Sequence, residues 1–542
     1  MNGEVIQTRY GKVIGIPSDT QGVTVFKGIP IGADTGKENR FRAPQPPKSW
    51  EGVRGCDHYG DRFLQNPDPN CQGAFWFSEF NYASEYRPPV SENGLVVNIY
   101  QPKVQEGRKL PVYVWIHGGA GNYGSASDIK FDATKLAAKG VIVVLVQYRL
   151  GFLGWLTLPE LCKENEHGAC GNYAVHDNIF ALKWVQENIE AFGGAKNKVT
   201  IGGQSAGAMQ VMNLLRSPLA KGLFQRAIIQ SGLTGFLNDP GAMGEAFGAG
   251  KPFPTVEEAA TLSKEAIRES FGRDVTLKEL REMEMEEFLK PPFAKNIEEK
   301  GVMPSATILE DLAARIQGTV LDGYVFTEES IDLMNPKNIE GIDIIMGGTT
   351  DEMTSLMAVN STESPASNEI LVTKLKAMHG EDILSLYSTS TKEESYASFL
   401  RAFSDDGLQR LLLSAGLNQV AKKPFVYSFA HVAPGKNEEF YGAYHSGDLW
   451  FTMGSLKPGR AHREWRKLDW GMMDVITDYW SNFIKTGNPN RESLSEWIPC
   501  DEKDEYPFMQ FKDGQANLIT TSGEEKREQY FRKRILESLN LN

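Results

Sequence analysis

The chain has 542 residues, with 57 lysines and arginines against 70 aspartates and glutamates, a formal net charge of −13. That balance argues against nucleic acid as a partner, because phosphate binding relies on clustered basic side chains. The longest apolar run, at 141–155, is broken by Gln147 and Arg149, so it reads as a buried strand plus loop and no membrane partner is expected.

The first eight residues carry neither a basic nor an apolar signal region, so a cytoplasmic location is expected unless a signal was trimmed. The five cysteines, Cys56, Cys71, Cys162, Cys170 and Cys500, show no metal-type spacing. Reduced thiols in a cytoplasm are the simplest reading, with a Cys162–Cys170 bridge as the alternative. The first sixty residues alternate short strands with turns. The run Arg40-Phe41-Arg42-Ala43-Pro44-Gln45-Pro46-Pro47 is too proline-rich for a helix and reads as an extended surface crossing.

From Leu95 the pattern changes. Residues 95–100, 110–116 and 141–146 read as strands, and two of these are the near-continuous apolar runs of strands covered on both faces. Helical pattern lies at 132–139 and 175–192, where Val175, Ile179, Leu182, Val185 and Ile189 share one face. Alternating strand and helix predicts an α/β fold with a mainly parallel sheet. Thr255…Glu258, Thr276…Glu279 and Thr391…Glu394 match the capping box that opens a helix. The chain is therefore expected to form a single α/β domain over 1–542, with helical insertions at about 236–318 and 354–420. Strands at 342–346 and 424–429 return to the sheet. The charged segment 523–542 reads as a helix that could be surface or interface, which leaves the oligomeric state open.

One turn carries chemistry. Gly203-Gln204-Ser205-Ala206-Gly207 joins a β-branched run to a small-residue, helix-compatible segment. That is the context of a nucleophile elbow: the serine is pushed above the sheet, and the flanking glycines let backbones crowd in. The helix start aims free N–H groups at negative charge forming beside the serine. A serine hydroxyl also needs a base, and the base needs a third group to fix its tautomer. Acid candidates after Ser205 include Glu352, just past the strand at 342–346. The later histidines are His379, His431, His445 and His462. His445 lies in a Gly-punctuated loop and His431 at a strand end; position leaves both open, with His445 preferred. Upstream, Ile116-His117-Gly118-Gly119-Ala120-Gly121 follows a buried strand and offers free backbone N–H groups, each worth about 10²–10³ in rate at an oxyanion. Alone, each run reads as a Gly-rich turn; in this order they point to a serine nucleophile.

On these residues the chain resembles the type-B carboxylesterases, the family that also contains cholinesterases and the catalytically dead neuroligin-type adhesion proteins. The resemblance covers nearly the whole chain. It includes Phe26-Lys27-Gly28-Ile29-Pro30, Tyr148-Arg149, Gln230-Ser231-Gly232, Asp351-Glu352 and Thr486-Gly487-Asn488-Pro489-Asn490. It implies an α/β-hydrolase fold, with Ser205 as nucleophile, Glu352 as triad acid and His445 as general base. The implied oxyanion donors are the N–H groups of Gly119, Ala120 and Ala206, and Arg40 with Glu92 matches a structural salt bridge. The substrate implied is a small-molecule ester, with no metal or organic cofactor. Amides, thioesters and lactones share the oxyanion chemistry and stay open as substrates. A non-catalytic binding protein is the remaining alternative, against which the intact Ser205, Glu352 and His445 count.

The chain departs from the family in several places. Ala120 stands where a third glycine is usual, Gln204 where Glu is common, and Met353 and Ser446 replace glycines after the acid and the histidine. Gly94 replaces a cysteine, so Cys71 lacks the partner of the familiar N-terminal disulfide. Ser84 stands where cholinesterases place a choline-stacking tryptophan, flanked by Tyr82 and Tyr86. Phe75, Trp76 and Phe77 lie nearby; packing is the preferred reading, with a cation–π site as the alternative, and choline ester specificity is not predicted.

Overall fold

The computed structural model describes residues 4–66, 75–76, 84–232, 234–237, 239, 241, 253–293, 307–316, 318–358, 361–460, 463–520 and 525–541. Its central sheet begins with β1 (Ile16–Pro17), β2 (Val23–Pro30) and β3 (Val96–Pro102). The middle of the sheet is β4 (Leu110–Ile116), β5 (Ile142–Val146), β6 (Gly194–Gln204) and β7 (Arg226–Gln230). It is completed by β8 (Asp343–Thr349), β9 (Phe425–Phe429), β10 (Phe508–Lys512) and β11 (Gln515–Ile519). The spatial order is β11-β10-β9-β8-β7-β6-β4-β5-β3-β2-β1.

The run from β10 across to β5 is parallel at every step. Both ends are antiparallel, including the pairing of β3 with β5. The β10–β11 hairpin was not anticipated from sequence. Its turn is Asp513-Gly514, both at positive φ (48° and 79°), the two-residue geometry that an Asp-Gly pair favours.

β4 shows why the sheet is covered twice. Val112, Val114 and Ile116 face a core shared with Ile179, Leu182 and Val211, on helices α1 (Tyr173–Asn188) and α2 (Ala206–Arg216). The alternate residues, Tyr113 and Trp115, face Met472, Ile476 and Trp480 of a later helix. The period of two puts successive side chains on opposite faces. Between β7 and β8 the chain forms α3 (Val256–Phe271) and α4 (Ile308–Arg315); after β8 come α5 (Glu352–Met357) and α6 (Lys392–Leu417).

Two of the three capping boxes are complete. Glu258 N donates to Thr255 Oγ1 at 3.3 Å and Thr255 N to Glu258 Oε2 at 2.8 Å; Thr276 and Glu279 repeat the exchange. At Thr391 only half forms, because the Glu394 carboxylate is taken by Ser388 Oγ and Ser390 N.

The reading of Cys162 and Cys170 as thiols is corrected. They form a disulfide, with Cα atoms 4.7 Å apart, which removes the support that cysteine usage gave to a reducing compartment. Cys56 and Cys500 are free, and burial pushes their thiols up to about 11 and about 12. Cys71 lies outside the described residues. At Gly94 an added Cβ would lie 3.0 Å from the Phe63 ring, so an aromatic side chain fills the space beside the missing cysteine. No helix among the described residues is long and apolar enough to cross a membrane.

Candidate active site

The turn between β6 and α2 is forced by close approach. A Cβ on Gly203 would lie 2.3 Å from Gly207 O, and one on Gly207 would lie 2.2 Å from Ile116 O. Only glycine fits at either position, and that lets strand and helix meet within a few residues. Ser205, between them, adopts φ 57° and ψ −126°. Such a backbone costs a non-glycine residue on the order of 1–3 kcal/mol and persists where its surroundings fix it. Here Ser205 N donates to Gln230 O at 3.0 Å, and Ser205 O accepts from Met209 N at 3.1 Å. The side chain is half-buried at the start of α2.

Glu352 and His445 arrive from the ends of β8 and β9. Glu352 opens α5, and His445 sits in the loop stitched to it by Asp351. Asp351 N donates to Ala443 O at 3.1 Å, and Ala443 N donates to Asp351 Oδ2 at 3.0 Å. His445 Nδ1 bonds Glu352 Oε2, and the other carboxylate oxygen accepts from Ser231 Oγ at 2.6 Å and Thr349 N at 2.8 Å. Burial alone would raise the Glu352 carboxyl. The charge and hydrogen bond of His445, with the Ser231 and Thr349 donors, outweigh it and hold the group below its ordinary value. Glu352 is therefore ionised at neutral pH, and Nδ1 carries the proton that faces it.

The second ring nitrogen meets an unexpected group. Gln204 Nε2 lies 3.1 Å from His445 Nε2 and donates to it in this tautomer. Ser205 Oγ makes no hydrogen bond among the described residues. The sequence marks Gln204 only as a departure from the family's usual Glu, and it does not mark Ser231 or Thr349 as carboxylate donors. Ser231 carried a signal in the Gln230-Ser231-Gly232 motif; the backbone N–H of Thr349 carried none. A second buried carboxylate, Asp448, accepts from Gln230 Nε2 and Tyr427 OH, each at 2.9 Å. Burial raises its pKa despite those donors.

The glycine loop after β4 curls beside the elbow. Gly119 (φ 110°) and Ala120 (φ 55°) both lie in the left-handed region, so Ala120 holds a conformation that glycine would adopt without strain. The N–H groups of Gly119 and Ala120 donate to no backbone acceptor among the described residues. That of Ala206 is the first of α2 and has no acceptor within the helix. A Cβ on Gly118 would lie 3.1 Å from Ser205 Cβ, which puts this loop against the serine.

The other residues marked by sequence fall elsewhere. His431 Nε2 pairs with Asp469 Oδ1 at 2.8 Å, with both side chains fully buried. His379 lies between Phe403 and Phe531, and burial, with Arg534 and Arg410, lowers it to about 4. Arg40 grips Glu92 with two nitrogens, at 2.6 and 2.5 Å, and donates onward to Leu280 O and Met283 O. The Trp76 ring stands edge-on to His445 at 6.3 Å, and Phe75 stacks on Tyr441 at 4.1 Å. Ser84 lies on a short turn whose Tyr86 packs against Tyr59. Phe77, Tyr82 and His462 lie outside the described residues.

Comparison with known proteins gives the family. The carboxylesterase family model matches residues 2–531. The chain is 31% identical over 539 residues to the para-nitrobenzyl esterase of Bacillus subtilis, covering 98% of this chain and 99% of that one. It is 31% identical over 537 residues to carboxylesterase 4A of Bos taurus, covering 92% and 90%. Among solved structures it is similar to a thermophilic PNB esterase, with TM-score 0.74, 28% identity and coverage of 98% and 100%. The chain belongs to the carboxylesterase family and is an ester-hydrolysing enzyme of α/β-hydrolase fold.

Proposed function

We propose that the chain hydrolyses carboxylic esters through an acyl-enzyme formed on Ser205. His445 Nε2 takes the hydroxyl proton as Ser205 Oγ bonds to the ester carbonyl carbon, whose π pair moves onto oxygen. The N–H groups of Gly119, Ala120 and Ala206 receive that oxyanion. Its collapse breaks the bond to the alcohol oxygen, which leaves with the proton from His445. Water, deprotonated by the same imidazole, then cleaves the acyl-enzyme and restores Ser205. Glu352 stays ionised and fixes the tautomer. Gln204 has to yield Nε2 before Ser205 can use it, in keeping with the way such hydrogen bonds tighten only once substrate is bound.

One observation carries this reading. Ser205 sits in a strained strand-to-helix turn next to Gln204, whose amide reaches an imidazole whose far nitrogen is held by a buried, ionised carboxylate. A relative named para-nitrobenzyl esterase, with others named carboxylesterases, supports a small-molecule ester as the substrate.

The test pairs nitrophenyl esters of increasing acyl length with a fluorescent organophosphate. Ser205→Ala is expected to lose about 10⁵–10⁶ in kcat and all covalent labelling. Labelling that survives the substitution, or a wild-type chain that takes no label, would sink the nucleophile assignment.

A further inference from the structure

Gln65 is 4% exposed and distant from Gly124 in sequence, yet its carboxamide grips both backbone groups of that glycine. Gly124 N donates to Gln65 Oε1 at 3.1 Å, and Gln65 Nε2 donates to Gly124 O at 2.9 Å. The two bonds run in opposite senses, so only one orientation of the amide satisfies both. One residue earlier in the loop, the Tyr123 hydroxyl donates to Glu310 Oε1 at 2.9 Å, and Asn66 Nδ2 donates to the same oxygen at 2.9 Å. Glu310 stands in the first turn of α4, whose cap Thr307 accepts from its backbone N–H. A helix between β7 and β8 is thereby fastened to the loop that follows β4.

That grip reaches the candidate oxyanion donors because the loop closes on itself. A Cβ on Gly119 would lie 2.2 Å from Tyr123 O, and one on Gly124 would lie 2.6 Å from Gly118 O. Displacing 123–124 therefore displaces 118–119. Gly151 N also donates to Gly121 O at 2.7 Å, a tie at the middle of the loop that leaves its 123–124 end to Gln65 and Glu310. A cavity of about 30 Å³ lies there, lined by Asn122, Tyr123, Gly151 and Glu310 among others. That is room for about one water molecule beside Tyr123 and Glu310, so the contact there is not closely filled.

We propose that Gln65 and Glu310 are positioning residues for ester hydrolysis, holding the loop 118–124 where the Gly119 and Ala120 N–H groups meet the oxyanion. The inference rests on the Ser205 reading above and deepens it. Neither side chain touches substrate in this account; both act through the loop.

The test measures kcat, KM and the Ki of an aryl trifluoromethyl ketone, which forms a tetrahedral oxyanion on the serine, all per titrated active site. Gln65→Ala is expected to lower kcat about 10- to 100-fold, the scale of a misplacement of about 1 Å. KM should stay within about threefold while the Ki rises by the factor that kcat falls, because only the transition state loses contact. Gln65→Glu keeps the acceptor for Gly124 N–H but sets a carboxylate against Gly124 O, so it should cost at least as much as Gln65→Ala. Tyr123→Phe removes one hydrogen bond and should cost about 3- to 10-fold in kcat. Wild-type kcat and Ki in Gln65→Ala overturn the clamp, as does a loss expressed through KM alone. Should Gln65→Ala fail to fold, Gln65→Glu and Tyr123→Phe decide on the same terms. Ser205→Ala run in parallel separates the two readings. Turnover surviving there sinks the nucleophile and the clamp with it, whereas a dead Ser205→Ala beside an unchanged Gln65→Ala sinks the clamp alone.

Discussion

His445 and His431 both follow β9, both are nearly sealed from solvent (4% and 1% exposed), and each holds a buried carboxylate. They differ in what the second nitrogen faces. His431 spends Nε2 on Asp469, and its Nδ1 is buried with no partner among the described residues, while the ring packs against Phe429 and Phe451. His445 spends Nδ1 on Glu352, which leaves Nε2 toward Gln204 and the elbow. The carboxylates differ as well. Asp469 is also held by Arg466 N at 2.6 Å and Arg466 Nε at 3.2 Å, whereas Glu352 receives neutral donors from Ser231 and Thr349. Pairing a histidine with a buried acid therefore does not make a base. The free nitrogen must open onto a group that can give it a proton.

The sharpest way to break that comparison is to delete both rings in turn. His445→Ala is expected to lower kcat by about 10⁵–10⁶ and to cost about 3 kcal/mol in unfolding free energy as well, because Glu352 is left buried without its partner. Glu352→Gln should cost about 10⁴ in kcat, since an amide no longer selects the reacting tautomer. His431→Gln should leave kcat within about threefold yet cost about 3 kcal/mol in urea unfolding, at the low end for a broken buried pair because Arg466 remains. A His431 variant that loses turnover while staying folded would dissolve the distinction.

Acid unfolding probes the same contrast through Glu352. Its folded-state pKa is depressed below the ordinary 4.5, so ionisation stabilises the fold above that value. The contribution is lost as the pH falls below 4.5 through the depressed value. The difference in melting temperature between wild type and Glu352→Gln should therefore be larger near neutrality and narrow below the ordinary value. A difference independent of pH would mean that the carboxylate adds nothing by being charged.

Much of this was legible in the sequence because short-range patterns fix it. Gly203 and Gly207 flank Ser205 for a steric reason that spacing reveals, and the apolar runs at β4 and β5 announce a doubly covered sheet. Thr255 and Thr276 announced their helices in the same way. Choosing His445 over His431 needed the family resemblance, since both follow one strand and only three-dimensional facing separates them. The Gln65 contacts have no signal in the sequence, and Ser231 has only its motif, because each contact joins residues distant in the chain. The Cys162–Cys170 bridge is not fixed by sequence, because a spacing of eight residues does not say whether two Cα atoms come within 4.7 Å. Asp513-Gly514 is a hairpin signal readable in the sequence, an Asp-Gly pair between two short strand-like runs.

Gln204 supplies the finest cut. Its amide donates to His445 Nε2 at 3.1 Å, the lone pair that Ser205 would use in the proposed mechanism, so Gln204 holds the acceptor that Ser205 must take over. A neutral hydrogen bond of this kind is worth about 0.5–1.5 kcal/mol net, so removing the competitor should speed serine attack by about 2- to 10-fold. Gln204→Ala should therefore raise the second-order rate constant for organophosphate labelling, with His431 variants unchanged in the same assay. The opposing effect is loss of ring alignment, since Glu352 would then hold His445 from one side only. Alignment by the carboxylate is the stronger constraint, because its bond is charge-assisted and the carboxylate is itself fixed by Ser231 and Thr349. Competition should win. A fall in labelling rate would show instead that the amide aligns the imidazole, and that the free nitrogen of His445 needs a guide as well as an opening.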